Sequence, residues 1–207
     1  MLPTDTSIPP VLPTILRITP ARVVRRALAL VLDALLAGLA AMVLLTAIIF
    51  PQSHPDYENV ILAQRQAMDA QIKTALAGGQ LGTVNVSDDF VEIATTAGTT
   101  TFAVLLFYFA ASEIFSGGTT LGKRVFGLRV ARAHTAEAPN AIELLSRSIF
   151  KAASLIGFFP FLLLANALPL LFRPTRRALH DYLARTIVTG DPLPAAPARS
   201  RDREDYD

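Results

Sequence analysis

The sequence has no cysteine in 207 residues, which excludes disulfides, thiol nucleophiles and cysteine-ligated metals but leaves the redox compartment undetermined. It has only three histidines, His54, His134 and His180, and none of them share the spacing that puts two metal ligands on one helix face. No metal or cofactor is expected. Charge is also scarce, with Asp, Glu, Lys and Arg making up 17% of the chain against roughly 25% in soluble domains. What is there instead is apolar: 52% hydrophobic residues and a mean hydropathy of +0.42. That composition indicates one membrane-embedded domain.

Residues 1–21 are proline-rich, with no sustained apolar period, and read as a flexible tail rather than a signal peptide. The domain proper is expected over 22–190, followed by a disordered mixed-charge tail over 191–207. A first span covers about 27–50, long enough for the roughly 30 Å hydrocarbon core, with Arg22, Arg25 and Arg26 before it and Pro51 ending it. A second covers about 94–115 and carries Glu113 near its far end. Between them lies an outside loop, 51–90. Within it Tyr57, Ile61, Met68, Ile72 and Leu76 recur at helical spacing up to Gly78 and Gly79, predicting a helix with one apolar stripe that lies on the bilayer surface or caps the bundle.

A third apolar stretch, 149–172, is interrupted by Gly157, Pro160, Asn166 and Pro169. It is either a hairpin that enters and returns or a plain third span. The basic residues bear on the choice, because a plain span starting in the cytoplasm would leave Arg173, Arg176, Arg177 and Arg185 outside. The hairpin puts 17 of the 19 Lys and Arg residues in the cytoplasm together with the N-terminus. It also requires the irregular backbone near Pro160 to be covered by protein. Short runs at Leu128–Ala131 and Thr186–Thr189 predict a small cytoplasmic β-ribbon.

Asp33, inside the first apolar run, is the anomaly. An unpaired carboxylate at mid-bilayer costs about 2.5 to 3.5 kcal/mol on insertion scales, so it needs a proton, water or a partner. Arg26 shares its helix face but lies about 10 Å along the axis, too far for a direct bridge. The arginines of "GKRVFGLRV" or "RPTRRALHD" are the expected partners. Asp33 then serves either as an ion- or proton-handling group or as half of a buried pair that holds the bundle.

Other apparent motifs fail on chemistry. "GGTTLGKR" mimics a phosphate loop, but Arg124 stands where the magnesium-binding hydroxyl belongs and a span precedes it. His180 and Asp181 are adjacent and diverge by about 100° on a helix, so no dyad is expected. Asp181 should pair with Arg177 or with a basic residue of the middle loop, while Leu179, Tyr182 and Leu183 face the membrane. With no nucleophile and base at workable spacing, no enzyme activity or catalytic residue is expected. The basic clusters border apolar spans and lack interleaved aromatics, so they suit anionic lipid headgroups, at about 1 kcal/mol per residue, rather than nucleic acid.

Taken together, Arg26, Asp33 seven residues on, "YFAASEIFSGGTTLGKRVFGLRVAR" and "RRALHDYLARTIVTGD" resemble the RDD family of bacterial membrane proteins over about residues 22–190. Arg26, Asp33 and Asp181 match the arginine and two aspartates of the family name, with Arg25 leaving the choice of arginine open by one residue. "TLGKR" stands for the commoner "TPGKR". The resemblance implies an all-α, multi-pass protein of the bacterial plasma membrane whose function is largely unassigned, with cation/proton exchange proposed for some members. Glu113, Lys123, Arg124 and Arg177 are expected to support the three matching residues near the cytoplasmic side. Two functional classes follow. One is small-ion transport through Asp33, in a homo-oligomer given the small size. The other is a non-transporting scaffold or accessory subunit, in which the charges are a static lock and the outside loop docks a membrane partner.

Overall fold

The computed structural model describes residues 20–79, 83, 85–135, 137–157, 160–173 and 175–190; nearly all of the two expected tails lies outside them. The chain forms helices α1 (Val23–Ser53), α2 (Tyr57–Leu76), α3 (Asp88–Phe115), α4 (Leu121–Val125), α5 (Ala141–Ile156), α6 (Phe161–Phe172) and α7 (Leu179–Leu183). Two strands, β1 (Arg129–Arg132) and β2 (Thr186–Thr189), pair antiparallel with Val130 opposite Val188. The expected ribbon is therefore present, one residue further on in its first strand. Ala21 extends it by donating its backbone N–H to Val188 O at 2.9 Å.

α1 and α3 have 31 and 28 residues, or about 46 and 42 Å at 1.5 Å per residue. Both are long and apolar enough to cross a bilayer. Protein covers only 28% of the most apolar stretch of α1 and 11% of that of α3. Leu28, Leu35, Leu39, Met42 and Phe107 are exposed, a face that suits lipid rather than water. The inner face of α1 repeats Ala29, Asp33, Ala37 and Ala41 every four residues, and small residues at that spacing let the neighbouring backbone approach closely. Pro51 does not end α1, as the sequence suggested. The helix absorbs it with a π turn at Leu45–Ile49, in which Phe50 N–H bonds to Leu45 O, and runs on to Ser53.

α2 starts and stops where expected, but its stripe is not covered. Ile61, Met68, Ile72 and Leu76 are exposed. The side chain it buries is Gln64, whose Oε1 accepts Ser87 N–H at 3.4 Å, while Tyr57 and Val60 pack with Leu45, Phe50 and Ile93. The third apolar stretch is two helices, α5 ending at Ile156 and α6 starting at Phe161. Asn166 and Pro169 lie inside α6 and do not interrupt it. At 12 residues α6 is about 18 Å long, too short to cross alone. α5 lies along α3, held at its start by a reciprocal cap in which Asn140 and Glu143 each accept the other's backbone N–H. α5 and α6 also touch each other and α7.

Candidate functional site: a buried ionic seam

Where α1, α3, α4, α5 and α7 meet, charged side chains are withdrawn from solvent. Asp33 is 2% exposed, and Glu113, Arg147 and Asp181 are 0% exposed. Each is held by segments distant in sequence.

Asp33 has no cationic partner among the described residues, contrary to expectation. Its Oδ1 accepts Tyr108 O–H at 2.6 Å and Gly122 N–H at 2.7 Å, and its Oδ2 accepts the Thr120 hydroxyl. Three neutral donors thus satisfy the carboxylate without an ion pair. The arrangement depends on Gly122. A Cβ there would lie 2.2 Å from Ala29 O and 2.9 Å from the Asp33 carboxyl carbon, so only glycine lets α4 seat its first turn on α1. Thr120 also caps α4, its hydroxyl accepting Lys123 N–H at 3.4 Å. Gly118 makes the preceding turn at φ +90°, with its N–H bonded to Glu113 O at 2.6 Å.

Beside this lies a chain of ion pairs. Glu113 takes Lys123 Nζ at 2.6 Å, Lys151 Nζ on the same oxygen, and Arg147 Nε at 3.5 Å from the other. Arg147 reaches on to Asp181 Oδ1 with Nη1 at 2.7 Å and also donates to the Thr186 hydroxyl. Asp181 Oδ2 accepts from Arg26 and from Ala178 N–H at 3.1 Å. The seam therefore reads Lys123 and Lys151, Glu113, Arg147, Asp181, Arg26, and ties both long helices to α5, α7 and the ribbon.

Electrostatics follow from the geometry. Burial pushes the Asp181 carboxyl up, but Arg147 and Arg26 outweigh it and hold it well below the usual carboxylate range. Burial pulls Lys123 below the usual lysine range, against the attraction of Glu113. Burial also pushes His180 well below the usual histidine range; Asp181 opposes this, and Arg147, Lys151 and Arg26 reinforce it. Neutral His180 fits its contacts, since its Nδ1 and backbone N lie 2.9 and 3.1 Å from Asn166 Oδ1. Its Nε2 stands 3.3 Å from Asp181 Oδ1, so the two neighbours do meet despite the angle between them.

Of the residues singled out from sequence, Arg26, Asp33, Glu113, Lys123 and Asp181 converge here. Arg25 is exposed, and Arg26 is the arginine of the two that joins the seam. Arg124 does not join them: it is exposed and bonds Thr119 Oγ1 at 3.4 Å. Arg177 is not the partner of the Asp181 carboxylate. It donates to the backbone oxygens of Thr186 and Asp181 at 2.9 and 3.0 Å and stacks on Tyr182 at 4.4 Å. Arg147, Lys151, Tyr108, Thr120, Gly122 and Asn166 were missed. The i, i+4 spacing of Arg147 and Lys151, one helical face bearing two charges beside an apolar run, was the available signal.

A mostly helical domain with two helices long and apolar enough to cross a bilayer, and with a buried Arg/Asp seam, is consistent with a small membrane protein. Residues 20–185 match the model described as the RDD family, and the chain belongs to that family. No curated protein and no solved structure matches it.

Proposed function

We propose that the chain is a non-transporting scaffold or accessory module of the bacterial plasma membrane, multi-pass, with its N-terminus in the cytoplasm. In this reading the Arg/Asp set is a static lock. The observation that carries it is that the carboxylates are already committed: Asp33 accepts three hydrogen bonds from neutral donors, and Glu113 and Asp181 face two or three cations each. An ion-carrying carboxylate must release and rebind its ion, and Asp33 has no place for one while these donors hold it. The exposed stripe of α2 supports contact with the bilayer surface or with a membrane partner. No catalytic role is assigned.

Proton-coupled cation exchange is the second reading, favoured by one observation: Asp33 lines a cavity of about 160 Å³. The surrounding cations weigh against it, since they disfavour a second positive charge. Ion flux in proteoliposomes under imposed proton and sodium gradients separates the two. The lock gives flux no greater than that of empty vesicles, whereas gradient-driven flux that disappears in folded Asp33→Asn sinks it. The orientation is tested by a reporter fused after Gly190, which should report the cytoplasm if 149–172 returns. A reporter found outside would make that segment a crossing span.

A further inference from the structure

The cavity of about 160 Å³ lies between α1, α5 and α6, partly open at its mouth. Among the described residues its ionisable lining consists of Arg26, Lys123, Arg147 and Lys151, with His180 held neutral, against the single carboxylate Asp33, which is already saturated with donors. Glu113 and Asp181 do not line it. Even counting them, four cations face three carboxylates, so the seam is short of one negative charge. The shortfall has an address. Arg147 is fully buried, yet its Nη2 has no hydrogen-bond partner among the described residues, and burying such a donor unsatisfied is costly. The rest of the wall is apolar and includes Leu30, Phe109, Leu163, Ala167 and Leu170.

We infer that this cavity is a binding site for a phosphate group carried on an apolar body, as in an anionic phospholipid, with the phosphate at Arg147 and the hydrocarbon along α1 and α6. A monoanion there supplies the missing charge and an acceptor for Nη2, and the apolar wall replaces the hydration of the chain. The charge excess excludes a zwitterion with no net charge as the preferred occupant, and the apolar wall disfavours a free inorganic anion. The site depends on the cavity alone and is the same whether or not the domain transports ions.

The test uses the full chain purified in mild, uncharged detergent. Its melting point is followed by loss of monodisperse protein, and retained lipid by native mass spectrometry, with phosphatidylglycerol, phosphatidylcholine or inorganic phosphate added. Arg147 variants would break the seam itself, so the informative change is Ala167→Phe, which fills the apolar end and touches no charge; Ala165→Phe, exposed on the same helix, is the control. The expected result is one retained phosphatidylglycerol, raised melting with that lipid only, and at least a tenfold loss of retention in Ala167→Phe but not in Ala165→Phe. Stabilisation by inorganic phosphate with none from the lipid would overturn the lipid as source while leaving a phosphate site. Equal retention of phosphatidylcholine, or retention unchanged in Ala167→Phe, would overturn the site.

Discussion

Replacing Gly122 with alanine tests how the site is assembled. The added Cβ would meet Ala29 O at 2.2 Å, and that oxygen belongs to the backbone of α1, so no rotamer change relieves the clash. To reach an ordinary contact, α4 must move outward by about 1 Å, and the movement stretches the Gly122 N–H and Thr120 hydroxyl bonds to Asp33 together. Overpacking costs about 1 to 3 kcal/mol, and a weakened bond to a charged group about 1.5 to 3 kcal/mol. A combined loss of about 3 to 5 kcal/mol is expected. At about 2 to 4 °C per kcal/mol for a chain of this size, melting should fall by roughly 10 °C. The chain has no tryptophan, so loss of monodisperse material on gel filtration after heating is the suitable assay. Gly98→Ala is the control: its Cβ would meet nothing within 4 Å, and helix propensity makes it neutral or stabilising by up to about 1 kcal/mol. A Gly122→Ala protein that melts with wild type would refute the close seating of α4 on α1.

Asp33→Asn should be milder than Asp33→Leu, because the amide keeps an acceptor for Tyr108 and Gly122, whereas leucine strands three donors. Melting points of the two variants in one detergent check this, and equal losses would contradict the donor cage. Stability should fall as pH drops below about 6.5, the ordinary histidine value, because His180 stays neutral when folded and takes a proton when unfolded, with a slope of up to about 1.4 kcal/mol per pH unit. Asp181 adds no slope until pH passes below the ordinary aspartate value near 4, since its folded pKa is depressed and its stabilisation is lost only as pH falls from there toward the lower folded value. A His180→Gln protein should lose the slope between pH 6.5 and 4, as read from melting against pH.

The two long helices, the ribbon and helix α2 were legible in the sequence, because each rests on a local period of apolar residues. The sequence also marked Asp33, since a charge in an apolar run stands out. The partners of Asp33 were not legible, because a carboxylate in an apolar run points to cations, whereas the fold supplies a tyrosine, a threonine and a backbone N–H brought together from 75 to 89 residues away. In the sequence Arg147 and Lys151 are two charges at the start of an apolar run, and nothing local distinguishes a snorkelling lysine from one turned inward onto Glu113. Asn166 looked like a helix breaker because it lay among prolines. Buried inside α6, it instead holds His180, a contact set by the return of α7 rather than by its own neighbourhood.

The central claim, that the Arg/Asp set is a static lock, is tested most directly by a double-mutant cycle on Arg26 and Asp181. These residues are 155 positions apart in sequence and joined by a buried ion pair. Arg26→Met, Asp181→Asn and the double variant would be compared with wild type for equilibrium stability. Each single change should destabilise by about 3 to 5 kcal/mol, with the double variant less destabilised than the sum by about 2 kcal/mol. Single-variant effects that add within about 0.5 kcal/mol, or singles as stable as wild type, would mean that the pair does not hold the helices together.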